Sequence, residues 1–295
     1  KTLRVPIGDE HEGTLNGVAL SADGSLLATG GNTGKSWQDS CSVYLFDVAT
    51  GRMVKRIAAS NLVVRDIRFS RDGKQLVVAA GGRTGEVAVV NLADGTVLGR
   101  HTFSSSVEGI DLSSTDRMAV ITHDGGLHVY QSPLDQKPHK FELSDSSPPT
   151  SCRFNPRGDR IAIGFSAVPQ IQLVELADFS GRVLTPVARM KKALGLSSVA
   201  WSMDGKQLYA AGQSGAGGGK GKRVFGWGDE GSGPVSNFII PAQNQVISIL
   251  PTQHGNLFFA LNLWGVLETD SHGEPRYQKK MDKAAYQYNH DLFAT

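Results

Sequence analysis

The sequence predicts an all-β chain built from repeated four-stranded antiparallel units, and three observations predict it. A hairpin pattern, apolar strand then polar turn then apolar strand, returns six times along the 295 residues. The turn positions Gly24, Gly73, Arg117, Gly158, Gly205 and Gly255 recur at intervals of 49, 44, 41, 47 and 50 residues. No stretch holds a sustained 3.6-residue apolar period, so helix content should be very low.

The units can be read in order. "LSADGSLLATG" from Leu20 is the first hairpin; "VYLFDVATG" from Val43 and "RMVKRIA" from Arg52 supply a third and a fourth strand. "FSRDGKQLVVAAG" from Phe69 is followed by "VAVVNLADG" from Val87, and "LSSTDRMAVIT" from Leu112 by "LHVYQSPLD" from Leu127. "FNPRGDRIAIG" from Phe154 leads to "IQLVELADFSG" from Ile171. "WSMDGKQLYAAG" from Trp201 leads to "RVFGWGDEGSG" from Arg223 and "VSNFIIPA" from Val235. "LPTQHGNLFFAL" from Leu250 leads to "WGVLETDSHG" from Trp264. Asp-Gly closes tight hairpins because Gly takes a positive φ at little cost. The repeats lie near 17–60, 61–104, 105–144, 150–189, 197–242 and 246–280. Four short strands per unit of roughly 40–45 residues is the pattern of a WD-repeat β-propeller in a single domain. The segments 1–7 and 281–295 read as parts of a closing blade, so a seven-bladed ring of six full repeats and a partial seventh is expected. The tail is too short to complete that blade, which favours a piece of a longer protein over a self-closed ring.

Composition narrows the function classes. The net charge of +2 gives no argument for nucleic acid. Residues 246–267 are the longest charge-poor apolar region, but Pro251, Gln253, His254, Gly255 and Asn256 interrupt it, so no membrane insertion is expected. Two cysteines, Cys41 and Cys152, are too few for a disulfide framework. No signal peptide is read, and the compartment stays open.

Successive strands a, b, c and d alternate direction, so tight a–b and c–d turns share one end and the variable b–c and d–a connections share the other. Binding residues concentrate on variable loops carried by a rigid scaffold. The long ones are residues 31–42, 190–197 and 213–222. The partner-binding candidates are Lys35, Trp37 and Asp39 on the first, Arg83 on a short b–c turn, and the basic set Lys191, Lys192, Lys220, Lys222 and Arg223. That set, with Arg189, would form a rim for an acidic partner segment, or else simply a solvated loop.

Other motifs point to less. "GGNTGKS" at residues 30–36 resembles a phosphate-binding loop, but a strand follows it where such a loop needs a helix N-terminus. "GGRTGE" at residues 81–86 is its sibling, so the Gly-rich b–c turn belongs to the repeat. Asp39-Ser40-Cys41 resembles the D-x-C around a metacaspase nucleophile, but no His lies near, and Cys41 reads as a loop thiol. Cys152 reads as core. The sets Asp9, His11, Glu12 and His123, Asp124, His128 lack the spacing of a zinc motif and read as surface polar residues. Trp201 and Trp264 read as core. No catalytic residue, metal site or cofactor is expected.

Particular strings carry a more specific resemblance. "TLRVPIG", "EGTLNGVALSADG", "VYLFDVATGRMV", "SSVAWSMDGKQLYAAG" and "WGVLETDSHG" resemble the WD-repeat region of bacterial caspase-family proteins, in matching order from about Thr2 to the end. The Trp-Asp that ends strand c in typical WD repeats is present only as Phe46-Asp47, Val90-Asn91, Tyr130-Gln131 and Val174-Glu175. The resemblance implies a propeller fused to a separate caspase-like cysteine peptidase, in the bacterial cytoplasm or periplasm, which senses or binds a protein or peptide and regulates the peptidase. None of that peptidase's His and Cys motifs occurs here. The alternatives are a propeller-class enzyme with a metal in a central channel, and a structural spacer.

Overall fold

The computed structural model describes all residues except 1, 2, 4, 6–13, 34–40, 145–146, 187–194, 214–220, 263–264 and 281–295. The strands are β1 (Thr14–Leu20), β2 (Leu26–Asn32), β3 (Cys41–Asp47), β4 (Met53–Ser60), β5 (Val63–Phe69), β6 (Gln75–Gly81), β7 (Gly85–Asn91) and β8 (Val97–Phe103). They continue as β9 (Val107–Leu112), β10 (Met118–Thr122), β11 (Gly126–Tyr130), β12 (His139–Glu142), β13 (Pro149–Phe154), β14 (Arg160–Phe165), β15 (Ile171–Glu175) and β16 (Gly181–Leu184). The last are β17 (Ser198–Trp201), β18 (Leu208–Ala211), β19 (Lys222–Trp227), β20 (Val235–Ile240), β21 (Val246–Pro251), β22 (Leu257–Leu261), β23 (Gly265–Thr269) and β24 (Pro275–Lys280). Each consecutive set of four forms one sheet with its strands in chain order.

The sheets fall into two compact units: one runs to Asp124 and takes His128–His139, the other holds Gly125–Leu127 and the chain from Lys140. Six sheets use every described strand, so none is left for a seventh. Among the described residues the blades therefore number six, where a seven-bladed ring was expected. The segments assigned to a closing blade lie outside the described residues, except Leu3 and Val5.

The alternation of side chains along a strand explains how the sheets stack. In β6, Leu76 and Val78 join a buried cluster with Val43, Leu45 and Ile57 of the first sheet. Their neighbours Val77 and Ala79 join the opposite cluster, with Ile110, Met118 and Val120 of the third. Middle strands are thus apolar on both faces, and each fully buried Val contributes about 1.5–3 kcal/mol. Phe225 and Trp227 pack with the fourth sheet, whereas Val224 packs toward the sixth. Outer strands such as β8, with an exposed Val97 and Leu98, are buried on one side only.

The a–b turns repeat one hydrogen-bond plan. Ser21 Oγ donates to Asp23 Oδ1 at 2.6 Å and accepts Leu26 N–H at 2.9 Å. Ser70, Asp72 and Gln75 repeat it, as do Ser202, Asp204 and Gln207. Gly24 and Gly73 take φ of 71° and 67° at the turn. In the third repeat that position is Asp116, φ 58°, and not Arg117 as the spacing suggested. Asp116 N–H bonds Ser113 O as Gly24 N–H bonds Ser21 O, but Ser113 N–H bonds Arg117 O where Ser21 N–H bonds Leu26 O, so the third turn is one residue shorter. The only helical segment among the described residues is a single turn at Gly228–Gly231, in agreement with the low helix content expected.

Candidate interaction face

The first strand of five sheets carries a β-bulge near its start, between Leu15 and Gly17, Val64 and Asp66, Val107 and Gly109, Pro149 and Ser151, and Val246 and Ser248. A bulge leaves one residue unpaired and re-aims its side chain. The bulged residues are Asn16, Arg65, Glu108, Thr150 and Ile247, each five positions before the turn residue Ser21, Ser70, Ser113, Asn155 or Thr252. In the fifth sheet the matching residue is Ser197, just before β17. These positions lie at the loop-bearing end.

Several of them tie neighbouring sheets together. Asn16 Nδ2 donates to Val64 O at 3.2 Å, Thr150 Oγ1 to Ser197 O at 2.8 Å, and Gln245 Nε2 to Ser197 Oγ at 3.1 Å. Main chain adds Phe165 N–H to Leu196 O and Val246 N–H to Gly212 O. Such close approach requires glycine. A Cβ on Gly85 would lie 2.5 Å from Val107 N and 2.6 Å from Ser105 O. A Cβ on Gly31 would likewise run into the main chain of the β1 bulge. The Gly-rich start of "GGNTGKS" is therefore β2 backbone pressed against a bulge. Thr33 then accepts Ser42 N–H at 2.6 Å and donates to Ser42 O at 3.0 Å, which ties the end of β2 to β3.

Arg65 does not make such a tie. It is exposed, and among the described residues it has no hydrogen bond or ion pair; the same holds for Arg83 in the β6–β7 turn. Val64 pairs with Ala80 and Val63 with Gly81, so Arg65 and Arg83 share the same end of the second sheet. Beside them on the third sheet, exposed His123 sets Nδ1 3.2 Å from Glu108 Oε1.

Below this end lies an ionic cluster that the sequence reading missed. Arg68 NH1 is 2.5 Å from Asp66 Oδ1, and Arg68 Nε is 3.2 Å from Asp111 Oδ1. All three side chains are largely buried, at 10%, 17% and 13% exposure. Asp66 also accepts Ile67 N–H at 2.9 Å and Ile110 N–H at 3.2 Å. Charged residues thus converge on the first strands of the second and third sheets. The signal was present, since Arg68 and Asp111 sit at the same place in consecutive repeats, two residues before Ser70 and Ser113.

The other candidates separate. Lys222 and Arg223 are consecutive at the start of β19 and point to opposite faces of the sheet. Lys222 Nζ donates to Gln213 O at 3.2 Å, and Arg223 NH1 donates to Asn237 Oδ1. Lys35, Trp37, Asp39, Arg189, Lys191, Lys192 and Lys220 lie outside the described residues, as do Asp9, His11, Glu12 and Trp264. Cys41 is no loop thiol: it begins β3 and is 5% exposed in the core, because the middle strand is covered on both faces. Cys152 and Trp201 are buried as expected. His123 is a surface residue, but His128 is half-buried edge-on to Phe103, ring centroids 5.0 Å apart, because it points inward from β11. Among the described residues no group of three or more His, Cys, Asp or Glu is placed to hold a metal, and no helix is long and apolar enough to cross a membrane.

The family model described as WD domain, G-beta repeat (WD40) matches residues 4–47. The match ends on Asp47, where a typical repeat has its Trp-Asp. Here Asp47 Oδ1 accepts Thr50 N–H at 2.6 Å and so closes the c–d turn. No curated protein matches the chain. The chain is thus all-β, with six four-stranded antiparallel sheets among the described residues, and the first of these resembles a WD40 β-propeller blade.

Proposed function

We propose that this chain is a non-catalytic scaffold that binds a protein or peptide at its loop-bearing end and regulates a caspase-like peptidase. The observation that carries the binding reading is the pair Arg65 and Arg83, exposed and without a partner among the described residues, on a sheet whose middle strands are fully packed. An arginine held out by a bulge offers several donors to a carboxylate in fixed geometry. The Asp66–Arg68–Asp111 cluster lends no support to an enzyme, since its charges are spent on one another and on main chain. The regulatory part rests on the resemblance to caspase-family proteins alone. Lys35, Trp37, Asp39, Lys191, Lys192 and Lys220, which lie outside the described residues, are proposed as partner-binding residues on the sequence alone.

The test is selection of displayed peptides on the folded chain. Enriched peptides should carry Asp or Glu, and Arg65→Glu/Arg83→Glu should weaken them at least about tenfold, roughly 1.4 kcal/mol. Lys74→Glu, at the opposite end, should leave them unchanged. Equal binding by all three proteins would reject this face. A purified caspase-like peptidase whose turnover ignores the chain and its ligand would reject the regulatory role.

A further inference from the structure

The c–d turn of the fifth sheet, residues 228–233, differs from the rest. Asp229 and Glu230 are consecutive non-glycine residues in the left-handed region, φ 46° and 57°, backbone that side chains disfavour. Three arginines of the fourth sheet hold this turn. Arg157 and Arg160 both donate to Glu230 Oε2, Arg160 at 2.8 Å. Arg160 NH1 also reaches Glu230 O at 3.2 Å. Arg182 NH2 donates to Gly231 O at 3.0 Å and lies 3.2 Å from Ser232 Oγ. The remaining acids nearby are Asp159, 3.2 Å from Arg157, and Glu175, 2.8 Å from Arg160. Gly231 is buried, and a Cβ on it would lie 3.3 Å from Leu173 and 3.4 Å from Leu208, so the turn lies over the apolar cluster between the two sheets.

We propose that Arg157 and Arg160, backed by Arg182, form an anion site whose built-in occupant is Glu230, and that a phosphate-type anion displaces Glu230 and releases the turn. One carboxylate oxygen now serves two guanidiniums. A tetrahedral dianion offers three acceptor oxygens and twice the charge, which suits several converging arginines better. The left-handed backbone favours release, whereas the ion pairs oppose it. Arg157, with 56% of its side chain exposed, gives the anion a way in from solvent. Gly228 and Gly233, bonded N–H to O across the turn at 2.9 Å, bracket the moving segment. This site is at the tight-turn end of the fourth and fifth sheets.

Hydrogen exchange on the whole chain tests the idea without any variant. Inorganic phosphate should speed exchange at Glu230, Ser232 and Gly233, whose N–H groups bond Lys206 O, Asp229 O and Gly228 O in the closed turn. Chloride at equal ionic strength should not. Glu230→Gln should bind phosphate on the order of tenfold more tightly by titration calorimetry, and adding Arg157→Gln and Arg160→Gln should abolish that binding. Phosphate and chloride giving the same exchange would overturn the proposal, as would Glu230→Gln binding phosphate no better than the parent chain.

Discussion

Arg68 sits between two aspartates that have already given up most of their water. Removing the guanidinium would leave Asp66 and Asp111 facing each other with no counter-charge, and breaking a buried pair from one side costs about 3–5 kcal/mol. Arg68→Ala should therefore lower the denaturant midpoint markedly, and Arg68→Met with both aspartates changed to Asn should recover much of the loss. Denaturant titration of the three proteins checks this; a small effect of Arg68→Ala would mean that the cluster is wetter than its geometry. The opposite sign is expected at Asp229. Its exposed side chain makes no hydrogen bond among the described residues, while its backbone is left-handed. Asp229→Gly should stabilise the chain by up to about 1 kcal/mol. Neither feature can be read from a residue's own neighbours in sequence. Arg68 and Asp111 are 43 positions apart and meet only when two sheets stack, and nothing in "GWGDEG" tells which residues turn left-handed.

At the scale of the element, the a–b turn couples a local motif to pH. Hydrogen bonds from Ser21 and from the Ser25 main chain hold the exposed Asp23 carboxyl at about 2, below its ordinary 3.8. Ser70 and Ser202 depress Asp72 and Asp204 in the same way. A carboxyl whose folded value lies below its unfolded one stabilises the fold above the unfolded value, and this contribution fades as pH falls toward the folded one. The turns should thus loosen between about pH 4 and pH 2. Ser21→Ala should shift the Asp23 titration up toward its ordinary value, as followed by carboxyl carbon NMR. The b–c turn is limited instead by space. Gly85→Ala puts a Cβ against the main chain of Ser105 and Val107, and overpacking of this kind costs about 1–3 kcal/mol. Thermal melts should show that loss at Gly85 and not at Gly82, where a Cβ meets nothing closer than 3.9 Å. These turns were legible because Ser-x-Asp-Gly acts through its own neighbours. The bulges were not, because register is set across strands: "NLVVRDIRF" does not reveal that Arg65 is the residue left over.

For the whole molecule, the repeat carried most of the architecture. Strand order and the two kinds of loop end follow from a strand–turn–strand pattern returned six times. The blade count was less secure, since it depended on segments at the chain ends. The proposed interaction face was only partly legible. Arg83 could be named from its turn, but Arg65 could not. Of the basic set expected to form a rim, Lys222 and Arg223 are described, and they open β19 on opposite sheet faces. The claim that matters most is that binding occurs at the loop-bearing end and not along the exposed apolar outer strands. Placing a photo-crosslinking amino acid at position 83, and separately at position 98 on β8, addresses it directly in the producing cell. The account predicts a discrete partner adduct from position 83 that disappears with Arg65→Glu, and none from position 98. An adduct formed only from position 98 would contradict it.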